Sequence, residues 1–414
     1  QHAATGNIVR MLVDGQVRQS ARDGETAIVL LDRTPFYAES GGQVGDHGEL
    51  SSERGAARVR DTIKIAGVFH GHVVEVAQGT LNVGDTMQAR IDSTRRSATV
   101  LNHSATHLLH AVLRSELGDH VQQKGSLVAP DRLRFDFSHF EPISPEQLAR
   151  IEAKVNHDIR ANAQAEVHQM AMKEALDFGA LALFGEKYGE RVRVLRMGEF
   201  STELCGGTHV SRTGDIGLFK ILSEGGISAG VRRIEAITGD AAVAFVQEQE
   251  QRLRELSSML GGGDQVLVKV QQLLDRVKQG ERELGQLKAK AASASLDDLI
   301  ASAIDIDGVK LLSVRLEGID AKVLRQMLDT LKQKLVDAVV VLASVADGKA
   351  TLIAGVSGSA LGRVKAGDVL GFVASKAGGK GGGRPDMAQG GANDGPALTA
   401  ALAEVQQFVG AQFA

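Results

Sequence analysis

The sequence predicts an α+β protein in several parts: a small β-barrel, an α+β core, an antiparallel helical hairpin and a small α/β glycine-rich C-terminal domain. Three observations predict it. Residues 1–91 read as short β-prone runs cut by glycine turn signals such as Asp23-Gly24, Gly41-Gly42 and Gly84-Asp85. Residues 92–239 place two long, well-capped helical patterns among strand patterns. Residues 240–294 then change to three-four apolar spacing, and 295–414 return to aliphatic strands around a glycine-rich stretch.

Within the barrel, Thr26–Leu31, Ala57–Ile65, Val68–Val76 and Thr86–Ile91 are the expected strands. Between them, Pro35 to Asp46 is a loop with several glycines suited to positive φ. Asp92-Ser93 then opens a helix that Gly118 closes, with Leu101, Ala105, Leu108 and Val112 as its apolar stripe. Gln122–Val128 and Leu133–Phe137 form a hairpin. Ser144-Pro145-Glu146 starts a second helix, expected to reach about Glu166. A strand over Val167–Met172, a short helix over Lys173–Leu183 and a strand over Val192–Arg196 follow. Past residue 240, Val246, Leu253, Leu256 and Leu260 make one heptad seam. Val270, Leu273, Val277, Leu284, Leu287 and Ala291 make another, beyond Gly261-Gly262-Gly263. Such a hairpin serves as an arm, a dimerisation element or simple internal packing.

In the last part, Val309–Arg315, Ala338–Ser344 and Ala350–Val356 are strands, a helix spans Asp320–Leu335, and Pro396 opens a final helix. Lys376 to Gly395 is expected to be a glycine-rich loop carrying Lys376, Lys380 and Arg384. Such a loop before a helix can offer N–H groups to an anion, yet it matches no established phosphate-binding pattern.

Composition sets limits. The 414 residues accommodate two to four domains at about 100–200 residues each. A net charge of −4 excludes a generally basic protein, so any polyanion must meet local basic patches. One cysteine excludes an internal disulfide and fits a reducing compartment. No secretory leader and no bilayer-length apolar run is evident, so a cytoplasmic protein without membrane partners is expected. The chain opens on Gln1 rather than methionine, as a piece of a longer protein would.

The chemistry concentrates in two short stretches. His103 and His107 share one helix face at i, i+4. Cys205 and His209 repeat that spacing across Gly206-Gly207-Thr208, where two glycines argue for a tight loop. Three imidazoles and a thiolate suit a tetrahedral zinc ion, which makes residues 92–239 a zinc-containing core with one ion per chain. His110 is a competing ligand, ranked lower because it breaks the matched pairing.

The Pro35–Asp46 loop, the His103/His107 helix, Ser201 to His209 and Gly226 to Gly239 together resemble the editing domain of alanyl-tRNA synthetases. The resemblance continues through the helical segment into Gly378–Gly391, which is similar to that family's C-terminal domain, and so covers nearly the whole chain. Motifs of class I or class II amino-acid activation are not recognised here. The resemblance implies hydrolysis of the ester that joins serine or glycine wrongly to alanine tRNA. It further implies roles in the pocket for Thr106, Gln123, Gly206, Gly207, Thr208 and one of Arg232 and Arg233, with Arg232 favoured. Lys376, Lys380 and Arg384 are the implied tRNA contacts, and a homodimer through the arm or tail is expected. DNA is not an expected partner. The rival reading is a non-catalytic tRNA-binding and dimerisation module whose zinc only staples the fold. Four simultaneous ligands would make the ion a positioning centre; release of one would let it activate water.

Overall fold

The computed structural model describes residues 2–181, 189–263, 265–294, 296–346 and 348–413, and of 288–294 the backbone alone. The chain forms two compact units, Gln1–Leu256 and Ser257–Ala414.

The first unit begins with β1 (Ala3–Val13), β2 (Gln16–Val17), β3 (Ser20–Arg22), β4 (Thr26–Leu31), β5 (Gly48–Ser51), β6 (Gly55–Ile65), β7 (Phe69–Asn82) and β8 (Thr86–Ile91). Six of these close a barrel in the order β1-β4-β7-β6-β5-β8, with β8 pairing back onto β1. Every pairing in the ring is antiparallel. Alternation drives the closure: in β8, Met87, Ala89 and Ile91 are buried while the residues between them are exposed. Met11, Val29, Leu50, Val59 and Val74 join them in the barrel core. The expected strands are present. β1 and β5 are additions, and β1 is hard to read because its first half is small and polar. At Gly6 a Cβ would lie 2.2 Å from the carbonyl oxygen of Arg33, just past β4, so the close approach there requires glycine.

Helix α1 (Ser93–Leu117) follows, with Asp92 accepting from the Arg95 N–H at 3.0 Å as its cap. Next come β9 (Gln123–Val128), β10 (Leu133–Ser138) and α2 (Pro145–Arg160), the last opened by a Ser144/Gln147 capping box. The unit continues with β11 (Ala165–Ala171), α3 (Met172–Asp177), β12 (Arg191–Met197), β13 (Ser201–Leu204), β14 (Phe219–Ser228), β15 (Val231–Thr238) and α4 (Gly239–Met259). Two antiparallel sheets result, ordered β14-β15-β10-β9 and β11-β12-β13. Leu108, Leu109 and Leu113 of α1 pack with Ile151, Val155 and Ile159 of α2, Phe135 and Phe137 of β10, and Ile234 of β15. At roughly 1.5–3 kcal/mol for each large side chain buried, this cluster fixes α1 firmly beneath the sheet. Helix α2 ends earlier than expected, at Arg160: Asn162 turns left-handed (φ 50°) and the chain enters β11. The short helix also stops early, at Asp177. The end expected for it, Leu183, lies outside the described residues.

The second unit holds α5 (Val266–Ala294), α6 (Leu296–Ala301), β16 (Ile304–Ile306), β17 (Val309–Glu317), α7 (Ala321–Leu335), β18 (Ala338–Ala346) and β19 (Lys349–Ser357). It ends with α8 (Ala366–Lys376), β20 (Lys380–Arg384), β21 (Met387–Asn393) and α9 (Pro396–Gly410). The sheet order is β16-β17-β18-β19-β21-β20, with β17–β18 its parallel pair. Helices α8 and α9 cover one face, through Leu370, Val373, Leu398 and Val405, and α7 covers the other, through Leu324, Leu328 and Leu331.

The expected glycine-rich loop is instead the β20–β21 hairpin. Its glycines permit close packing rather than flexibility. A Cβ on Gly379 would sit 1.9 Å from the Gly391 oxygen, and one on Gly381 would meet Leu370 of α8 at 2.6 Å. Of the residues expected to form a helical-hairpin seam, Val246, Leu253 and Leu256 lie on α4, Leu260 lies just past its end, and the later ones lie on α5. Leu253 and Leu256 on α4 and Val277 and Leu287 on α5 are exposed, whereas Val246 and Leu260 are half-buried. Ala291 has no described side chain. Among the described residues no helix is long and apolar enough to cross a membrane.

Candidate metal centre

Helix α1 presents His103 and His107 inward, one turn apart, with their rings stacked at 5.2 Å between centroids. The loop after β13 delivers Cys205 and His209 opposite them. One candidate ligand atom from each of these four residues lies within 4.8 Å of the other three. Cys205 Sγ is 3.4 Å from His103 Nε2 and 3.2 Å from His209 Nε2. The quartet read from spacing is therefore brought together across about a hundred residues.

Hydrogen bonds to the far side of each helix histidine fix which nitrogen points inward. His103 Nδ1 donates to Gln43 Oε1 at 2.7 Å, and His107 Nδ1 donates to Glu203 Oε2 at 2.6 Å, which leaves each Nε2 as a lone-pair donor. His107 Nε2 is buried and has no hydrogen-bond partner among the described residues. His110 is not part of the cluster; its Nδ1 donates to the other Glu203 oxygen at 2.9 Å. Burial opposes charge on the Cys205 thiol, but His103, His107 and His209 hold it well below its ordinary value. Glu203 is likewise held down to about 2 by His107 against its burial. Burial disfavours the His107 cation, yet Glu203 and Cys205 raise that ring to about 10, whereas burial lowers His209 to about 3. Two buried anions thus draw positive charge into the cluster. A divalent cation on four inward lone pairs satisfies both that demand and the orphaned Nε2, so the donor set fits a metal.

A cavity of about 230 Å³ opens beside the cluster. Its lining includes His103, Thr106, Gln123, Ser126, Cys205, Gly206 and Gly207. Thr106 donates its hydroxyl to the Asn102 carbonyl at 2.8 Å, so towards the cavity it can only accept. In the cysteine loop, the Gly207 N–H is directed at Cys205 Sγ (3.4 Å) and the Thr208 N–H at Gln43 Oε1 (2.9 Å). Arg193 ties the same loop down by donating to the carbonyls of Cys205 (3.0 Å) and Gly207 (2.5 Å). Gln43 and Glu203 are the functional side chains that spacing alone did not single out. Each lay inside a recognised stretch, but its partners are 60 and 96 residues away.

Three family models match the chain: "tRNA synthetases class II (A)" over residues 1–95, "Threonyl and Alanyl tRNA synthetase second additional domain" over 192–235, and "DHHA1 domain" over 308–411. Alanine–tRNA ligase of Xanthomonas campestris pv. campestris strain B100 is 63% identical over 410 residues, which is 99% of this chain. That of Stenotrophomonas maltophilia strain K279a is 62% identical over 403 residues, 97% of the chain. The chain belongs to the alanyl-tRNA synthetase family. It spans about half the length of these curated relatives, 46% of each. The C-Ala domain of Aquifex aeolicus alanyl-tRNA synthetase is matched over 98% of its own length and 26% of this chain, at 28% identity and a TM-score of 0.25.

The other residues nominated by the resemblance to alanyl-tRNA synthetases lie elsewhere. Arg232 is outside the cavity lining and makes a two-pronged ion pair with Glu224, while Arg233, facing the other way, pairs with Asp136. Lys376 pairs with Glu404 and lies 4.9 Å above the Phe372 ring. Arg384 contacts Asp386 at 3.4 Å, and Lys380 is exposed on β20.

Proposed function

We propose that this chain hydrolyses the ester joining serine or glycine to the 3′ end of alanine tRNA, with a zinc ion held by His103, His107, Cys205 and His209. The single observation that carries this reading is the shared cavity of Thr106, Gln123 and Gly206 with His103 and Cys205 of the His/Cys quartet. Zinc, when bound by all four side chains, would supply a fixed positive charge and a structural anchor. The chain's own groups do the rest. The Thr106 oxygen accepts from the serine hydroxyl, and the Gln123 amide reads the same group. Gly206 offers an N–H without a partner among the described residues, for the oxygen that becomes negative during attack. A site that hydrogen-bonds a hydroxyl rejects alanine, which lacks it, by roughly 10⁴-fold. Glycine lacks the hydroxyl as alanine does, so this discrimination applies to serine alone.

In this reading the four parts divide as 1–91, 92–239, 240–294 and 295–414, and Lys376, Lys380 and Arg384 in the last part contact tRNA away from the ester. Arg232 serves through its buried pair with Glu224 rather than by touching substrate. The test is incubation of the purified chain with serine-, glycine- and alanine-charged tRNA, following ester loss. Rapid loss of serine and glycine with alanine spared is the expected result. Tight tRNA binding without turnover would make the protein a binding module with a structural metal.

A further inference from the structure

The cavity beside the cluster has a charge imbalance that ester hydrolysis does not require. Lys64 of β6, Arg191 and Arg193 of β12 all line it, and no aspartate or glutamate is among its described lining residues. Among the described residues, Lys64 Nζ has only the Ser40 hydroxyl, at 2.9 Å, and Arg191 reaches only the Gln169 carbonyl, at 3.5 Å. Arg193 is half-buried and spends its hydrogen bonds on two backbone carbonyls, so its charge has no acidic partner among the described residues. Most other cations of this unit that approach a neighbour meet a carboxylate: Arg96 has Asp46, Arg114 has Asp119, Arg232 has Glu224 and Arg233 has Asp136. Three cations without an acidic partner among the described residues make a local positive potential around this cavity, in a chain whose net charge is negative.

We propose that Lys64, Arg191 and Arg193 form a phosphodiester seat, which grips the last internucleotide phosphates of the RNA strand and thereby aims its 3′ ester at the cluster. This rests on the hydrolytic reading above and names the part of the substrate that the cavity holds. The arrangement suits the task. Two exposed cations from different elements, barrel strand β6 and core strand β12, approach from opposite parts of the chain, as a clamp on a strand requires. Arg193 joins the seat to the loop that carries Cys205 and Gly207, so phosphate binding and ligand placement share one side chain. The seat recognises charge and not base identity, because each of its contacts would fall on the backbone.

The experiment measures binding rather than turnover, so its outcome is separate from that of the hydrolysis assay. The probe is the uncharged trinucleotide CpCpA, set against the same trinucleotide with uncharged methylphosphonate linkages, on the zinc-loaded 414-residue chain. Lys64→Gln and Arg191→Gln are each expected to weaken CpCpA binding about tenfold and to flatten its salt dependence. The neutral analogue should bind weakly and equally to all forms, and Lys64→Arg should restore most of the affinity. Zinc content, unchanged in every variant, shows that the site is intact. Unchanged CpCpA affinity and salt slope in the Lys64→Gln, Arg191→Gln double variant would overturn the proposal. An equal loss for the charged and neutral trinucleotides would overturn it as well.

Discussion

Gln43 Oε1 accepts hydrogen bonds from His103 Nδ1 at 2.7 Å and from the Thr208 N–H at 2.9 Å. One fully buried amide from the barrel loop therefore holds a candidate ligand histidine on α1 and the backbone between Cys205 and His209. Outer partners of ligating histidines set ring orientation, and losing one typically lowers metal affinity 10–100-fold. Gln43→Leu is expected to lose zinc affinity by that factor, measured by competition with a chromophoric chelator. Gln43→Glu keeps an acceptor for both N–H groups and should stay within a few-fold of the parent. Equal zinc affinity in the leucine variant would mean that the two ligand segments are positioned without the barrel.

Gly206 and Gly207 differ in what a methyl group would meet. A Cβ on Gly207 would lie 2.1 Å from His103 Cε1 and 2.9 Å from Gln43 Oε1, whereas one on Gly206 meets nothing within 4 Å. Neither glycine has a positive φ, so the contrast is steric and not conformational. Forcing a group into a packed site costs about 1–3 kcal/mol. Gly207→Ala should therefore reduce zinc affinity by at least about fivefold, while Gly206→Ala retains it. Matching zinc affinities for the two variants would show that His103 moves aside freely.

These contacts mark where the sequence was legible. The clustering of the four candidate ligands could be anticipated because each pair is local: i, i+4 on a helix, and i, i+4 across a glycine loop. Gln43 and Glu203 could not, because each acts on a residue far along the chain, and an isolated glutamine or glutamate carries no spacing signal. The Lys376–Gly395 segment was misread for a related reason. Glycine signals freedom locally, but at Gly379, Gly381 and Gly383 it marks backbone packed against a neighbouring strand or α8. Strand β1 escaped because its first half is small and polar and shows no hydrophobic alternation.

His72 gives the barrel its own response to pH. The ring is fully buried on β7, donating from Nδ1 to the Val29 carbonyl at 2.8 Å and accepting at Nε2 from the Thr34 hydroxyl at 2.7 Å. Burial lowers its pKa from 6.5 to about 4. Between those values the unfolded chain binds the proton and the folded chain does not, so stability is lost as pH falls from about 6.5 towards 4. Above 6.5 the contribution is complete. At 1.36 kcal/mol per unit, the loss by pH 4.5 is about 2–3 kcal/mol. Urea unfolding followed by circular dichroism at pH 7 and pH 4.5 should show that loss in the parent, beyond the loss seen in His72→Gln. Identical pH dependence in the two proteins would rule out His72 as the titrating group.

The last expectation concerns Gln123, which lines the cavity but does not belong to the ligand set. Its backbone sits opposite Phe137, where the register shifts between Asp136 and Phe137. The hairpin thus holds the residue without help from its amide. Shortening the side chain should therefore leave fold and zinc intact and act on discrimination alone. Losing one hydrogen bond to the serine hydroxyl costs about 0.5–1.5 kcal/mol, and up to about 3 if a buried partner is left unsatisfied. That corresponds to roughly a 3- to 150-fold change in relative rates. Gln123→Ala should move the ratio of serine to alanine ester hydrolysis by such a factor, by slower clearance of serine or by cleavage of correctly charged tRNA. Thr106 is the second candidate: its hydroxyl proton is committed to Asn102, so towards serine it can only accept. An unchanged ratio in Gln123→Ala, with a shifted one in Thr106→Val, would transfer the discriminating role to the threonine.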